Sequence, residues 1–207
     1  MKQMRGPAPR RTPPREPGWD PGDRRPFRQG GTTVGRVSKI VFTVAVAALL
    51  CAFRAPTEAR YAGVGNPVPD LMLETLDGRQ EDLLGARAGW VLLKFGTTWC
   101  PQCGDEVGEL NRIAGDLRRR GVRVVEVFLR ETPEVVRADV RKTPRSYAGR
   151  ILLDRSGEAI SAFGVRVIPR LVLVDPAGIA RADSRFQAAK DLLATIDRAQ
   201  AHAGEGG

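Results

Sequence analysis

The sequence WVLLKFGTTWCPQC, from Trp90 to Cys103, joins an apolar run, a short turn and two cysteines that are separated by two residues. The run at residues 90–95 is rich in aromatic and aliphatic side chains and predicts a buried β-strand. Over residues 101–120, apolar side chains recur at helical spacing, at Val107, Leu110, Ile113 and Leu117. The pattern predicts that Cys100 lies at the start of a helix that follows a buried strand.

Two cysteines at this spacing can close a small disulfide that exchanges with other thiols. Free backbone N–H groups and the helix dipole favour an anion at a helix N-terminus, and a cysteine there has a pKa below its usual value of about 8.5. The alternatives are a zinc site and an inert pair of core cysteines. Zinc needs four ligands, yet the only other cysteine is Cys51 and the only histidine is His202. The sequence therefore favours a redox-active pair of Cys100 and Cys103, with no metal and no further cofactor.

The positive charge of the chain is concentrated near its N-terminus. The 207 residues have a formal net charge of +9. Residues 1–39 contain ten Lys and Arg against three acidic residues, a net charge of +7, which leaves +2 for the rest of the chain. The part that can fold is nearly neutral, so we expect no nucleic-acid-binding face. Residues 1–36 are also rich in Pro, Gly and Arg, which predicts a disordered, basic cytoplasmic tail.

An uncharged apolar run, IVFTVAVAALLCAF, occupies residues 40–53. It is shorter than the roughly 20 residues that span a bilayer, but flanking apolar residues lengthen it and flanking Arg and Lys side chains can reach the interface. The alternative is the apolar core of a cleaved secretory signal. We expect an uncleaved, single-pass anchor at residues 37–54 in the cell membrane, with the basic N-terminus in the cytoplasm and the rest of the chain outside.

Beyond the anchor we expect a linker at residues 55–66, a folded domain at residues 67–201 and a flexible C-terminus at residues 202–207. The domain is predicted to contain a hairpin, then a strand, a helix and a strand in one unit, a further helix and strand, a short helix, a second hairpin and a final helix. A strand–helix–strand unit implies a parallel crossover, so the predicted fold class is α/β.

The order of elements and the cysteine motif together resemble the thioredoxin fold and, more narrowly, the membrane-anchored thiol–disulfide oxidoreductases of the TlpA/ResA type. The resemblance covers roughly residues 64–201. It is carried by the segments VGNPVPDLMLETLDG, WVLLKFGTTWCPQCGDE and FGVRVIPRLVLVDPAG and by the final helix. It implies a thioredoxin-like three-layer fold, in which helices flank a central mixed β-sheet, behind the tail and one N-terminal transmembrane helix.

The resemblance also implies a substrate-binding edge beside the redox pair. Proteins of this fold place a cis-proline next to the active disulfide, and Ile168–Pro169, just before a predicted strand, matches that position. We expect Trp99 and Pro101, which flank Cys100, to complete the substrate-binding surface.

Three charged residues are expected to tune the pair. Glu106, three residues beyond Cys103, matches an acidic residue of ResA-like proteins and is expected to relay a proton to or from Cys103, unless it only complements the helix dipole. Lys94 lies where thioredoxin has a buried acid. It is expected either to stabilise the thiolate and make the couple more oxidising, or to extend from the sheet edge without effect. Arg170, after the proline, is expected to favour the thiolate or to select an acidic partner.

The expected reaction is thiol–disulfide exchange, in which Cys100 attacks a substrate disulfide and Cys103 resolves the mixed disulfide. The resemblance implies protein substrates with cysteine pairs, such as apocytochrome c or copper-site proteins, and a membrane thiol donor that re-reduces the enzyme. One alternative is a peroxiredoxin-like peroxidase, suggested by Thr97 three residues before Cys100. The other is a copper-binding assembly factor, for which His202 is a poor ligand candidate.

Overall fold

The computed structural model describes residues 60–85, 89–147 and 149–204. The tail predicted at residues 1–36 and the anchor predicted at residues 37–54 lie outside these segments. Among the described residues, no helix combines the length and the apolar character that a membrane crossing requires.

The described residues form one mixed sheet of seven strands with five flanking helices. The strands are β1 (Met72–Thr75), β2 (Gln80–Asp82), β3 (Trp90–Gly96), β4 (Val122–Leu129), β5 (Gly149–Asp154), β6 (Arg170–Val174) and β7 (Ala180–Ser184). The helices are α1 (Pro101–Arg112), α2 (Ala114–Arg119), α3 (Pro133–Lys142), α4 (Glu158–Phe163) and α5 (Ala189–Gly204). The strand order across the sheet is β2-β1-β5-β4-β3-β6-β7. The predicted α/β fold with a central mixed sheet is confirmed.

The centre of the sheet is buried on both faces. Strands β3, β4 and β5 run parallel, and β6 joins β3 antiparallel. On one face, Leu93 and Phe95 pack with Phe163 of α4. On the other face, Leu92 packs with apolar side chains of α1 and α5, such as Leu110. Burial on both faces explains why β3 is apolar at successive positions, with the exception of Lys94, and does not alternate with polar residues.

The helix after the cysteines is divided in two. The helical spacing predicts one element over residues 101–120, but α1 ends at Arg112 and α2 begins at Ala114. Ile113 between them has φ −104° and ψ 15°, outside the helical region. Gly115 follows closely, and glycine is a poor helix former.

The domain extends beyond both predicted boundaries. The N–H of Tyr61 donates to the carbonyl of Ala162 at 2.8 Å, and the Tyr61 ring lies 5.3 Å from that of Phe163. The linker predicted at residues 55–66 is therefore too long, because its described end packs on the core. Helix α5 continues to Gly204, so residues 202–204 are helical and not a flexible end.

Gly149 provides a test of the sheet register. It lies opposite Val124 in the β4–β5 pair, and a Cβ at this position would lie 2.7 Å from the Val124 carbonyl oxygen. We expect Gly149→Ala to lower the free energy of unfolding by about 1–3 kcal/mol, since the backbone has to move apart. Gly108 in α1 has open space around it, so Gly108→Ala is expected to stabilise by about 0.5–1 kcal/mol. Denaturant unfolding that gave both variants the same stability would contradict this account.

Candidate active site

Cys100 and Cys103 form a disulfide at the N-terminus of α1, with their Cα atoms 5.2 Å apart. Cys100 is the residue before the helix, and its Sγ accepts a hydrogen bond from the Cys103 N–H at 3.2 Å. Pro101 occupies the first helical position, where no N–H is needed. Cys100 is 8% exposed and Cys103 is 2% exposed. The position favours a thiolate at Cys100, and the role of Cys103 as the resolving thiol stays a prediction.

The Ile168–Pro169 peptide bond is cis, as the resemblance implies. Phe95 near the end of β3 pairs with Arg170 at the start of β6. The cis bond therefore lies at the end of the sheet from which the chain continues into the cysteines. The structure brings the redox pair and this proline to one edge, and the role of that edge in docking substrate stays a prediction.

Exposed apolar side chains mark this end of the molecule. Trp99, directly before Cys100, is 73% exposed, and Val167, directly before Ile168, is also exposed. Pro101 is exposed as well. Apolar surface beside a reactive pair is suited to contact with another polypeptide. The binding role of Trp99 and Pro101 stays a prediction.

Glu106 is fully buried one helical turn beyond Cys103. Its Oε2 accepts the Gln187 N–H at 3.1 Å, and its Oε1 has no hydrogen-bond partner. Burial raises the pKa of Glu106 to about 7, against smaller lowering effects of the Gln187 N–H and of Lys94. A carboxyl group with this pKa can accept or release a proton at neutral pH. The proton relay between Glu106 and Cys103 stays a prediction, as does the alternative of a purely electrostatic role at the helix terminus.

Lys94 is buried in the centre of the sheet. Its Nζ donates to Oε1 of Glu126 at 2.6 Å, and the two residues lie directly opposite each other in β3 and β4. The expectation that Lys94 extends from a sheet edge is wrong, because β3 is a central strand and the ammonium group is held by a buried carboxylate.

The ion pair continues into a chain of alternating charges. Nε of Arg145 lies 2.9 Å from Oε2 of Glu126, and Nη2 of Arg145 lies 2.7 Å from Oδ2 of Asp139. Burial acts to raise the pKa of Glu126, but the two cations, Lys94 and Arg145, outweigh it and the pKa is lowered. Glu126 was not among the residues predicted from sequence, although a single acid inside the apolar run VRVVEVFL is the signal that could have identified it.

Gly96 lies between this row of ion pairs and the redox pair. A Cβ on Gly96 would lie 3.0 Å from Sγ of Cys103 and 3.6 Å from Nζ of Lys94. The Cys103 sulfur and the Lys94 ammonium group therefore lie on either side of Gly96. Because the Lys94 ammonium group lies near Cys103, its predicted stabilisation of a thiolate would act on Cys103 more than on Cys100.

A second carboxylate fixes the loop that carries the cysteines. Oε2 of Glu131 accepts the Thr98 N–H at 2.9 Å, and its Oε1 accepts the Thr98 hydroxyl at 2.6 Å. Glu131 follows β4 and has no motif that marks it in the sequence. It holds the residues just before Cys100 in place.

Arg170 is held by an ion pair. Its Nη2 lies 2.7 Å from Oδ2 of Asp183, its Nη1 donates to the Phe163 carbonyl at 2.6 Å, and its guanidinium lies 5.4 Å from the Tyr61 ring centroid. Arg170 therefore presents a balanced ion pair and not a free cation.

Within the described segments, no three or more His, Cys, Asp or Glu side chains are grouped to hold a metal ion. His202 lies near the end of α5, far along the chain from the cysteines. The copper-binding alternative gains no ligand set from these residues.

The sequence profile of the AhpC/TSA family matches residues 64–182, more than half of the chain. The chain belongs to the AhpC/TSA family. This AhpC/TSA protein is 30% identical over 122 residues to the thiol-disulfide oxidoreductase ResA of Geobacillus thermodenitrificans, covering 59% of the chain and 69% of that relative. It is 26% identical over 115 residues to the ResA of Bacillus thuringiensis subsp. konkukian, covering 56% of the chain and 65% of that relative.

A solved structure supports the same fold. The thioredoxin domain of a thiol-disulfide oxidoreductase from Bacteroides vulgatus superposes with a TM-score of 0.58 at 18% identity, covering 67% of this chain and 98% of that one. By its similarity to ResA, the AhpC/TSA protein is a thiol–disulfide oxidoreductase, and its fold is thioredoxin-like. Such enzymes act on cysteines of protein substrates.

Proposed function

We propose that the chain is a membrane-tethered, extracytoplasmic oxidoreductase that reduces disulfides of protein substrates through Cys100 and Cys103. One observation carries the proposal, namely the disulfide at the start of α1 on the same edge as the cis bond before Pro169. The apolar run at residues 40–53, with an excess of positive charge before it, supports the tether and the orientation.

The reaction begins with the reduced pair. The Cys100 thiolate attacks one sulfur of a substrate disulfide, the substrate S–S bond breaks, and one substrate sulfur leaves as a thiolate that takes up a proton. A mixed disulfide between Cys100 and the substrate remains. The slight exposure of Cys100 and its place at the helix N-terminus suit it to this first attack.

The second step releases the substrate. The Cys103 thiol gives its proton to the Glu106 carboxylate, and the Cys103 sulfur attacks Sγ of Cys100. The mixed disulfide breaks, the second substrate sulfur leaves as a thiolate, and the enzyme disulfide forms. Two electrons have then moved from the enzyme dithiol to the substrate, and a membrane dithiol donor restores the reduced pair.

Apocytochrome c and copper-site proteins are the proposed substrates. Both need cysteine pairs that are kept reduced outside the cytoplasm, where disulfides otherwise form. The resemblance to TlpA/ResA proteins supports this substrate class.

Trapping in the native cell tests the function. Cys103→Ser cannot resolve the mixed disulfide, so we expect it to accumulate substrate proteins covalently linked to Cys100 and released by dithiothreitol. Cys100→Ser, which keeps a buried thiol but lacks the attacking one, is the matched control. Mass spectrometry that recovered the same proteins in equal amounts from both variants would contradict the proposal.

The same purified protein tests the peroxidase alternative. We expect the reduced protein to consume hydrogen peroxide slowly compared with its reduction of a disulfide peptide, because Cys103 lies only three residues from Cys100, too near for the usual resolving geometry of a peroxidase. Faster reaction with peroxide than with the peptide would favour the peroxidase.

A further inference from the structure

A groove of about 300 Å³ lies beside the cis-proline edge. Its lining includes Arg166, Val167, Arg170, Asp183 and Arg185. Three guanidinium groups and one carboxylate therefore surround one small volume.

The groove has excess positive charge. Arg170 and Asp183 neutralise each other in an ion pair at 2.7 Å. Arg166 and Arg185 are exposed, and neither has a carboxylate partner in the described part of the chain. Two unpaired guanidinium groups remain to face a ligand. Arginine presents a planar fork of donors that matches a carboxylate.

The groove is placed to contact the chain that carries a substrate cysteine. Arg166 directly precedes Val167 and the cis bond at Ile168–Pro169. Ser184 pairs with Leu171 across β6 and β7, which places Arg185 at the same end of the sheet. A peptide whose disulfide meets Cys100 along this edge would extend its neighbouring side chains over the groove.

We infer that Arg166 and Arg185 bind carboxylate side chains close to the reactive cysteines of the substrate, so that the enzyme selects acidic substrate proteins. The inference deepens the proposed function and depends on it. The sequence suggested Arg170 for this selection. Because Arg170 is paired with Asp183, Arg166 and Arg185 are the residues that bind the carboxylates. Charge complementarity of this kind acts mainly on the association rate and on specificity.

Two matched peptides provide the assay. Both contain the same disulfide, with glutamates flanking the cysteines in one and lysines in the other, and the reduced full-length enzyme is the electron donor. We expect kcat/KM for the glutamate peptide to exceed that for the lysine peptide by up to about 25-fold, since an exposed ion pair contributes up to about fivefold and the factors of the two pairs multiply. We expect the ratio to fall toward one at high salt.

The double variant Arg166→Glu/Arg185→Glu is expected to remove or invert the preference. The control is Arg141→Glu/Arg198→Glu, which changes the net charge equally on exposed helix positions outside the groove. The control is expected to keep the wild-type ratio.

Different outcomes of this assay test the substrate preference and the proposed oxidoreductase function separately. Reduction of both peptides at equal rates by the wild type, or an unchanged preference in the groove variant, would overturn the inference and leave the oxidoreductase function intact. An equal loss of preference in both double variants would also overturn it, because net charge alone would then explain the selection. Failure to reduce either peptide would remove the proposed function and the inference together.

Discussion

Replacing Glu126 by glutamine is expected to lower the free energy of unfolding by about 3–5 kcal/mol, the range for removing one partner of a buried ion pair. The carboxylate is 1% exposed and is the partner of both Lys94 and Arg145. Without it, a buried ammonium group has lost its counter-charge. Chemical denaturation followed by circular dichroism measures the loss.

Two comparisons show whether burial is the cause. Asp197→Asn breaks an ion pair with Arg120 that is equally short, at 2.6 Å, but lies on the surface, and we expect almost no change in stability. Lys94→Met/Glu126→Leu replaces both charges by apolar side chains of similar volume and is expected to recover most of the stability. A Glu126→Gln protein as stable as the wild type would contradict the argument.

The same variants test whether Lys94 sets the redox potential. Glu126→Gln leaves the cation beside Cys103 without its counter-charge, which stabilises the reduced thiolate, so the couple is expected to become more oxidising. Lys94→Met is expected to shift it the other way. Equilibration with glutathione measures both, and a tenfold change in the equilibrium corresponds to about 30 mV for a two-electron couple. If both variants shifted the potential in the same direction, or if neither shifted it, Lys94 would not influence the redox potential.

Replacing Glu106 by glutamine is expected to slow release of the mixed disulfide by about 100-fold or more, the range for losing a positioned proton acceptor. Glutamine can still accept the Gln187 N–H, but it cannot take the Cys103 proton. Rapid-mixing kinetics with a disulfide peptide separate this step from the first attack, which we expect to change little. Glu109→Gln is the matched control, because Glu109 lies three residues further along α1 and likewise accepts a backbone N–H, that of Ala189, at 2.8 Å.

The same variant should be more stable than the wild type at alkaline pH. The pKa of Glu106 is raised to about 7 in the folded protein, above that in the unfolded chain, so folding favours the protonated form. Its ionisation costs stability as pH rises from about 4.5 to about 7. Glu106→Gln removes this cost and is expected to gain up to about 3 kcal/mol above pH 7 and nothing below pH 4. A variant that was slower yet no more stable at pH 8 would mean that folding does not raise the pKa of Glu106.

The sequence predicts the sheet and the redox pair well because both depend on local patterns. The apolar run before Cys100 is short, ends at a turn and is rich in aromatic and aliphatic side chains, which favours a buried strand. The two-residue spacing of the cysteines has few other uses once zinc ligands are missing. The family resemblance supplied the cis bond at Pro169. Periodicity alone does not reveal it.

The charged groups were harder to predict because their partners are distant in the chain. Lys94 and Glu126 are 32 positions apart in the sequence, and Thr98 and Glu131 are 33 positions apart. A lysine in a strand is compatible with an exposed edge or a buried pair, and only the strand order decides between them. Arg170 has the same ambiguity, because its partner Asp183 comes from the next strand.

The contact of Tyr61 with Phe163 has a consequence for where this domain begins. The segment recognised by family similarity starts at residue 64 and stops at residue 182, which excludes Tyr61 and all of α5. Yet Tyr61 packs on the core of one face, and Leu192 and Ile196 of α5 are buried in the core of the other. A fragment cut at the limits of homology would expose both cores. The segment that the family profile matches is therefore shorter than the domain whose two cores fold together.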